Sequence, residues 1–535
     1  MLSWTRAATA PSTRESVIQT THFVRTREGP HIWRGPTSPH RQVSFLLSAL
    51  SSAPLNRFSM HQTLQPSRTS GSRRADAVPG WPTLDATIAI AFVLVVFAAA
   101  CVMPLQSDFW WHLRAGQEMW SRHVLALSDE FSFTARGSYW PNHEWLSEIA
   151  LFLAYRAAGL PGVTLLAAAC VTAATALSWR LTPGPSTSKL LIMAAAIPSL
   201  VFVWTVRPHV FTLALLMTCI YLVLRSRYWA LPFVFAIWAN LHGGVALGLV
   251  ALGAATLAEL WAGDRKRAKQ LLAITVLCFA ATLMTPLGLD LWKTIPESIQ
   301  KSMANGIQEW RPPLLLGWRD LSFWVFAVAT LTAVAFRWRR MTTREQAIPV
   351  FVALALLPLA LRYSRNITPF MLVAVPALGS LVLADVRLER AKRRERYAFN
   401  RALIAACVVA CIGGVLSAWS SRAPRMHWQP VSTQIVASVR ACPGRLYNRF
   451  DDGGYLIWFA PDIPVFVDNR QDPYALPFLQ DHLQHEQSGD YASVFEHYSL
   501  TCAFLPPSSP TAKNLKAAGW MVAAADSNWL VLQKQ

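Results

Sequence analysis

The sequence predicts an all-α polytopic membrane bundle of about eleven transmembrane helices, followed by a small C-terminal α/β extracytoplasmic domain. Two observations on composition support the bundle: 53% of the residues are hydrophobic and only 15% are charged, whereas soluble domains carry roughly 25% charge. A third observation is the change after Ser420, where apolar runs give way to a tail with nine basic and ten acidic residues. These features exclude a soluble enzyme, a disordered protein and a fibrous protein.

Residues 1–83 are predicted to form a disordered, basic N-terminal extension. The segment contains ten Arg and no Lys against three acidic residues, and it is rich in Ser, Thr and Pro. Such a composition cannot bury a hydrophobic core. Three interpretations stay open: plain disorder, a transit peptide, or a translation start at Met60. The apolar run Val43–Leu50 is short for a signal peptide and lies far from the start.

The middle of the chain, residues 84–420, is predicted to be the membrane domain. Crossing the hydrocarbon as a helix takes about 20 mostly apolar residues. The apolar runs predict eleven spans, at Leu84–Leu105, Leu160–Trp179, Leu190–Val206, Val210–Leu224, Ala230–His242, Gly243–Trp261, Leu271–Leu287, Leu321–Phe336, Ile348–Leu361, Thr368–Ala384 and Ala402–Trp419. Several are short, which predicts tilted or half-helices. Trp145–Ala158 is amphipathic and is interpreted as a surface helix or a lead into the second span.

The distribution of charge orients this bundle. The formal net charge is +19, and basic residues concentrate in Gly263–Lys269, Arg337–Glu345 and Arg387–Arg401. The positive-inside rule predicts that these loops and the basic N-terminus are cytoplasmic. It explains their charge better than nucleic-acid binding does. With eleven spans, residues 106–145 and the tail 421–535 then fall outside the cytoplasm.

The tail is predicted to form an α/β domain. Strands are expected at Arg445–Asn448, Val465–Val467, Thr501–Leu505 and Trp529–Gln533, with helices near Val431–Val439 and Thr511–Ala518. Cys442 and Cys502 are the only cysteines of the tail. In an oxidising compartment they can form a disulfide, and two buried free thiols are an equally good interpretation.

The predicted outer loop, residues 106–145, begins close to Asp108. One interpretation makes Asp108 the N-cap of a helix through Phe109–Arg122, because an N-cap Asp accepts backbone N–H bonds. The other makes it a base oriented by His112, because residues four apart share a helical face. Spacing alone favours the cap. The tryptophans of this loop predict an interfacial aromatic belt, with stacking on a sugar or lipid headgroup as the alternative.

Polar side chains also mark the ends of several predicted spans. Charges at such depths are costly unless they line a cavity or form pairs. Arg207, Arg362 and Arg365 fall at outer ends, where three guanidinium groups at one level can bind a phosphate; snorkelling to the interface is the alternative. No Walker, GxSxG or HExxH motif is present, so the ATPase, serine hydrolase and zincin classes have no support.

Several strings of the sequence resemble a known class of proteins. SDFWWHLRAGQ, DEFSFTARGSYWPNHEWLSE, RPHVF, WANLHGG, TPLG and EW, with DDGGYLIW and VFVDNRQDPY in the tail, are similar to a bacterial group within the GT-C class of polytopic membrane glycosyltransferases. That group is usually described as similar to dolichyl-phosphate-mannose or lipid A sugar transferases. The resemblance extends from about Leu84 to the end.

The resemblance implies a polyprenyl-phosphate-linked sugar as donor and a lipid, glycan or protein as acceptor, with transfer on the outer face of the bacterial inner membrane. It makes Asp108 the general base on the acceptor hydroxyl, with Asp129 and Glu144 as reserve carboxylates. Substrate-binding roles are expected for His112, His143, Arg207, His209, Asn240, His242, Arg362 and Arg365. The class often pairs two acids in this loop. Because Phe109 follows Asp108 here, no metal ligand or cofactor is assigned, although the class permits a divalent metal.

Two other classes of function remain open. A transporter or flippase also places ionisable groups within the membrane, but no internal repeat is visible in the sequence. A non-catalytic scaffold would present the tail to a partner. A single outer cavity shared by Asp108 and the arginines favours the transferase.

The predicted topology is testable with reporter fusions. A fusion after Gly263 is expected to report the cytoplasm and a fusion after Arg425 the opposite side, because the basic loops and the tail are separated by an odd number of spans. Paired alkaline phosphatase and fluorescent-protein fusions measure both sides. Two fusions reporting the same side would contradict the topology.

Overall fold

A computed structural model describes residues 81–315, 317–383, 395–421 and 426–535. Almost all of the predicted N-terminal extension, with Met60, lies outside the described residues. Most of the basic segment Arg387–Arg401 and the end of the predicted span at Ala384 do so as well.

The membrane domain is built from helices joined by short loops. The helices up to the tail are α1 Leu84–Ala100, α2 Ser107–Arg122, α3 Trp145–Leu181, α4 Ser186–Leu200, α5 His209–Leu224, α6 Leu231–Leu241, α7 Val245–Trp261, α8 Arg265–Thr282, α9 Leu291–Ala304, α10 Trp318–Arg337, α11 Arg344–Arg362, α12 Ile367–Leu378 and α13 Tyr397–Ser421. Each of the eleven predicted spans falls on one of these helices, whereas α2 and α9 belong to predicted outer loops.

Length and apolar character identify a membrane protein but do not establish eleven spans. Among the described residues, five helical segments are long and apolar enough to cross a membrane, at Trp145–Leu181, Asp320–Arg340, Arg344–Arg362, Ser364–Leu383 and Tyr397–Ser421. Five more apolar helices are shorter. The amphipathic segment Trp145–Ala158 forms the first part of α3, which changes direction at Ala158 and Gly159 (φ of +62° at Gly159).

Helix ends fall into two groups at opposite ends of the bundle. At one end, Arg344 Nε lies 2.7 Å from Glu259 of α7, and its Nη atoms donate to the carbonyls of Leu224 and Val223 in the last turn of α5. The C-termini of α5 and α7 therefore meet the N-terminus of α11, beside the predicted basic loops. The N-termini of α5 and α7 and the C-terminus of α11 lie at the far end.

The tail contains a four-stranded sheet: β1 Arg445–Asn448, β2 Leu500–Leu505, β3 Met521–Ala525 and β4 Leu530–Gln533, in the order β1-β2-β4-β3. β1 and β2 are parallel, and the other pairs are antiparallel. The remaining helices are α14 Thr433–Arg440, α15 Gly453–Phe459, α16 Leu476–Ser488, α17 Ala492–His497 and α18 Pro510–Ala517.

Most of the strands and helices predicted for the tail are present, but α15, α16 and α17 were not predicted, and the sheet differs in two strands. Val465–Val467 is not a strand of this sheet; Val465 instead forms a single bridge to Ser132 of the first loop, so its apolar side chains face a different partner. β3 was not predicted, because three of its five residues are alanines with little strand preference. Cys442 and Cys502 form a disulfide, with their Cα atoms 6.2 Å apart.

The tail and the first long loop, residues 106–145, share a hydrophobic core. Trp111, Ala115 and Met119 of α2 are buried in one cluster with Ile435 of α14 and Leu456 of α15. Burying apolar surface in this way is the main favourable term in folding. α2 therefore packs on the tail as well as on the membrane helices.

A buried ion cluster strengthens this junction. Arg470 of the tail pairs with Asp129 of the first loop at 2.5 Å and with Asp468 at 2.7 Å, and the three side chains are almost completely buried. Its guanidinium also lies 4.9 Å from the ring centroid of Phe131 and 4.7 Å from that of Trp140. A buried charge is tolerated only when it is paired in this way.

Two glycines allow α15 to approach its neighbours closely. A Cβ atom on Gly454 would lie 2.2 Å from the carbonyl oxygen of Ser107, and one on Gly453 would lie 2.1 Å from that of Val467. The DDGG string thus brings α15 against the first turn of α2, the turn that carries Asp108.

Gly454→Ala is expected to destabilise the protein by about 1–3 kcal/mol, because the added methyl group overlaps the Ser107 backbone. The matched control is Gly413→Ala in α13, where a Cβ would meet nothing within 4 Å. Thermal unfolding in detergent measures both variants. Equal melting temperatures for the two would contradict the close approach.

Arg470→Met is expected to cost about 3–5 kcal/mol, because it leaves two buried carboxylates without a counter-charge. Arg440→Met removes an exposed pair with Asp462 and should cost less than about 1 kcal/mol. Denaturant unfolding followed by tryptophan fluorescence compares them. The buried cluster would lose its proposed importance if both variants unfolded at the same denaturant concentration.

Candidate functional site

A cavity of about 410 Å³ lies at the end of the bundle where α5, α7 and α12 begin. Its walls come from α2, from α9 and the turn Gln308–Trp310, and from the tail segment Asn469–Asp472. Ligand cavities in proteins are typically of this size and are formed where several elements meet. The polar groups that line it are Asp108, His112, Asn142, His143, Glu144, Arg207, His209, Thr212, His242, Ser298, Ser302, Glu309, Tyr363, Arg365, Asn366, Asn469, Arg470, Gln471 and Asp472.

Eight of the eleven residues singled out from the sequence line this cavity: Asp108, His112, His143, Glu144, Arg207, His209, His242 and Arg365. They come from separate stretches of sequence, which the fold brings together because the ends of several helices meet here.

The other three lie elsewhere. Asp129 belongs to the buried ion cluster with Arg470. Asn240 has a structural position, since its side chain accepts from Trp145 Nε1 at 2.8 Å and donates to the carbonyls of Ala236 and Met284. Arg362 is exposed and outside the cavity, with its guanidinium over the ring of Tyr363.

Asp108 is the second residue of α2, not its N-cap. Gln106 occupies the cap position, and Asp108 Oδ1 accepts from the N–H of Phe109 at 3.0 Å. The helix begins earlier than predicted, at Ser107, because the backbone of Ser107 is packed against α15. The cap interpretation of Asp108 is therefore wrong. Its second oxygen, Oδ2, pairs with Arg207 Nε at 2.5 Å.

Arg207 joins two carboxylates. Besides Asp108 it contacts Glu309, with Nη2 3.2 Å from Oε1 and Nη1 3.4 Å from Oε2. Burial raises the pKa of the Asp108 carboxyl, and Arg207 opposes that rise. Burial also raises the pKa of Glu309, but Arg207 and Arg365 outweigh it and hold the pKa at about 2. The Glu309 carboxylate is therefore ionised at neutral pH, with Arg207 and Arg365 as the two nearby cations.

Arg365 has a different environment. It lies in the turn Ser364–Asn366, which is fixed because Ser364 donates from both N and Oγ to the carbonyl of Arg311. This contact places the Arg365 guanidinium 4.3 Å from the ring centroid of Trp310. Among the described residues, no carboxylate lies within ion-pair distance of Arg365. Of these two guanidinium groups, that of Arg207 is paired with carboxylates and that of Arg365 is not.

Three histidines surround Glu144. Its carboxylate oxygens lie 3.4 Å from His242 Nε2, 3.7 Å from His112 Nε2 and 3.9 Å from His143 Nε2. Burial raises the pKa of Glu144. Within the described part of the chain, no group of His, Cys, Asp and Glu side chains has the arrangement of a metal site.

The position of His242 depends on the WANLHGG string. His242 Nδ1 accepts from the N–H of Gly244 at 2.8 Å and contacts Thr212 Oγ1 at 2.9 Å. A Cβ on Gly244 would lie 2.5 Å from Thr212 Oγ1 and 2.7 Å from His242 Nδ1. Position 244 must therefore be glycine for the His242 ring to occupy this position beside Thr212.

Sequence reasoning left several cavity residues without a role. Glu309 belongs to the EW string, but the sequence analysis assigned it no role. Glu148 does not line the cavity but is buried and contacts His112 Nδ1. Asn469–Asp472 reach the cavity from a tail that was predicted to be a separate domain. A signal for the last group was present in the NRQDPY string, whose polar residues cannot be packed in an apolar core without partners.

Comparisons with known proteins identify a fold but no close relative. No family model and no curated protein matches the sequence. Among solved structures, AglB, an archaeal oligosaccharyltransferase from Archaeoglobus fulgidus in complex with an inhibitory peptide and a dolichol-phosphate, matches with a TM-score of 0.50 and 13% identity. That match covers 78% of this chain and 69% of AglB.

A second solved structure, ArnT from Cupriavidus metallidurans bound to undecaprenyl phosphate, has a TM-score of 0.45 and 14% identity, over 83% of this chain and 97% of ArnT. At such low identity a likeness concerns the fold alone. On the match to AglB, this chain has a GT-C-like membrane fold, as the sequence resemblance implied.

Proposed function

We propose that the protein is an integral membrane glycosyltransferase that moves a sugar from a polyprenyl-phosphate donor to a lipid, glycan or protein acceptor. The observation that carries the proposal is that Asp108, Glu144, Arg207 and Arg365 line one cavity. Anionic and cationic side chains are gathered at low exposure there, which is costly unless they line a cavity or form pairs, and Arg365 has no carboxylate within ion-pair distance among the described residues. AglB, which shares the fold, is an oligosaccharyltransferase whose structure contains dolichol-phosphate.

The donor phosphate is assigned to Arg365 and Arg207. Guanidinium groups bind phosphate through paired N–H donors. Arg365 has no carboxylate partner among the described residues, so it offers the first contact. Arg207 is already held by Asp108 and Glu309, which fix its orientation. Arg362 is left out because it is exposed outside the cavity.

The reacting centre is assigned to the part of the cavity between α2 and Glu144. Asp108 and His112 lie one helical turn apart on α2 and both line the cavity. Of the carboxylates named from the sequence, Asp129 is left out because Arg470 binds it in the buried cluster. Glu144 stays as the second carboxylate of the centre.

The cavity is assigned to the outer face of the bacterial inner membrane. Arg344 and the loop after α7 lie at the opposite end of the bundle, where the positive-inside rule expects the cytoplasm. The disulfide in the tail fits an oxidising compartment on the cavity side.

The proposal is tested first by turnover. Purified protein in nanodiscs is incubated with undecaprenyl-phosphate carrying a radiolabelled glucose, mannose or aminoarabinose, and transfer to membrane lipid or water is measured. Mass spectrometry of lipid-linked glycans from cells with and without the gene covers other sugars. No transfer from any donor and unchanged glycans would refute the proposed function.

Asp108→Asn is expected to remove at least 99% of the transfer while the protein still inserts and folds. Asn cannot form the ion pair that orients Arg207, and misplacement of a group that positions the substrate costs about 10²-fold in rate. Asp462→Asn, in an exposed pair of the tail, is the control and should keep full activity. Normal turnover by Asp108→Asn would remove Asp108 from the reacting centre.

A further inference from the structure

The geometry points to His112, held by Glu148, as the group that takes the proton from the acceptor hydroxyl. This inference rests on the proposed function and names a residue for its central step. His112 is thus assigned a catalytic role, and Glu148 the role of a positioning residue that acts through it.

The hydrogen bonds of Glu148 fix the His112 ring. Glu148 is fully buried in the first part of α3, and its Oε1 lies 3.0 Å from His112 Nδ1. Its Oε2 accepts from Asn142 Nδ2 at 2.7 Å. The Asn142 amide is oriented by its own contact, because Asn142 Oδ1 accepts from the N–H of Glu144.

These contacts determine which nitrogen of His112 carries the proton. With Glu148 in its ionised form, the carboxylate only accepts, so the His112 atom that faces it is Nδ1–H and the lone pair is on Nε2. Nε2 is on the cavity side, facing Glu144. The arrangement of a buried carboxylate, an imidazole and an open Nε2 is the one that makes histidine a base in acyl-transfer enzymes.

Glu144 completes the place for an acceptor hydroxyl. Its Oε2 lies 3.7 Å from His112 Nε2, so the carboxylate faces the imidazolium that forms when the hydroxyl gives its single hydrogen to Nε2. His242 Nε2 faces the other oxygen of Glu144 at 3.4 Å. Because His242 Nδ1 accepts from Gly244, its Nε2 carries the hydrogen and stabilises the Glu144 anion.

Asp108 is less suited to accept this proton. Both of its oxygens already receive a hydrogen, one from Arg207 and one from the N–H of Phe109. These donors occupy the two oxygen atoms with which Asp108 would accept a proton, although burial raises its pKa. Burial, together with the charge of Arg207, lowers the pKa of His112 and keeps the ring neutral before reaction, while His143 and His209 add to the lowering.

The step balances as a displacement at the sugar. The acceptor O–H bond breaks and its proton passes to His112 Nε2, while the acceptor oxygen forms a bond to the anomeric carbon. The bond from that carbon to the phosphate oxygen breaks, and its electron pair leaves with the polyprenyl phosphate. Glu148 and Glu144 stabilise the imidazolium, and the released phosphate then removes the proton.

The experiment uses chemical rescue. His112→Ala is expected to lower kcat by about 10²–10⁴-fold, with binding of undecaprenyl phosphate unchanged, and added imidazole should restore part of the rate. Glu148→Gln, which keeps the size but loses the charge, should lower kcat less and should not respond to imidazole. His497→Ala, at an exposed position of the tail, controls for loss of a histidine.

The readouts separate the two proposals. If the wild type transfers sugar, two results would overturn the role of His112 and leave the proposed function standing. One is full activity in His112→Ala, and the other is a loss of activity that imidazole does not restore. Absence of transfer by the wild type would count against the proposed function. In either case ¹⁵N-histidine NMR of the protein in micelles tests the geometry. A protonated Nε2 and a bare Nδ1 at His112, assigned with His112→Gln, would overturn the inference.

Discussion

The position of α2 between the membrane helices and the tail is the constraint on which the rest of the site depends. One set of its side chains, including Ala115 and Met119, is buried in the core of the tail, and another, Asp108 and His112, reaches the cavity. A rotation of α2 that improved one set would displace the other. The close approach of α15 at Gly454 and the buried pairing of Arg470 with Asp129 restrict that rotation, so the tail holds the cavity-facing side of α2 in place.

Much of the fold could be predicted from the sequence, because apolar runs and charge bias report directly on helices in a membrane. The arrangement within the cavity could be predicted only in part. Arg362 and Arg365 are three residues apart and looked equivalent. The structure ends α11 at Arg362 and turns the chain sharply, so one guanidinium is exposed and the other lies against Trp310. Nothing in the local composition indicates where such a turn falls.

Other differences have the same origin in tertiary packing. Asp129 and Asp108 are both acidic residues of the first loop. Asp129 forms an ion pair with Arg470 only because the tail packs against this loop. Val465–Val467 has the composition of a strand, and its partner is the first loop rather than the sheet. In the sequence, Glu148 is simply one of the polar residues of an amphipathic segment. Its importance depends on Asn142 and His112, which approach it from a loop and from another helix.

The disulfide has a consequence for the order in which the protein matures. Cys442 and Cys502 enclose a segment of the chain, separated by 60 positions, and the wall formed by Asn469–Asp472 lies inside that closed segment. A cross-link over a loop of this length removes about 4 kcal/mol of chain entropy from the unfolded state. Thiols are kept reduced in the cytosol and pair in oxidising compartments. On the proposed topology, completion of the wall is thereby coupled to export: a newly made chain gains the full stability of the cavity only after the tail has crossed the membrane.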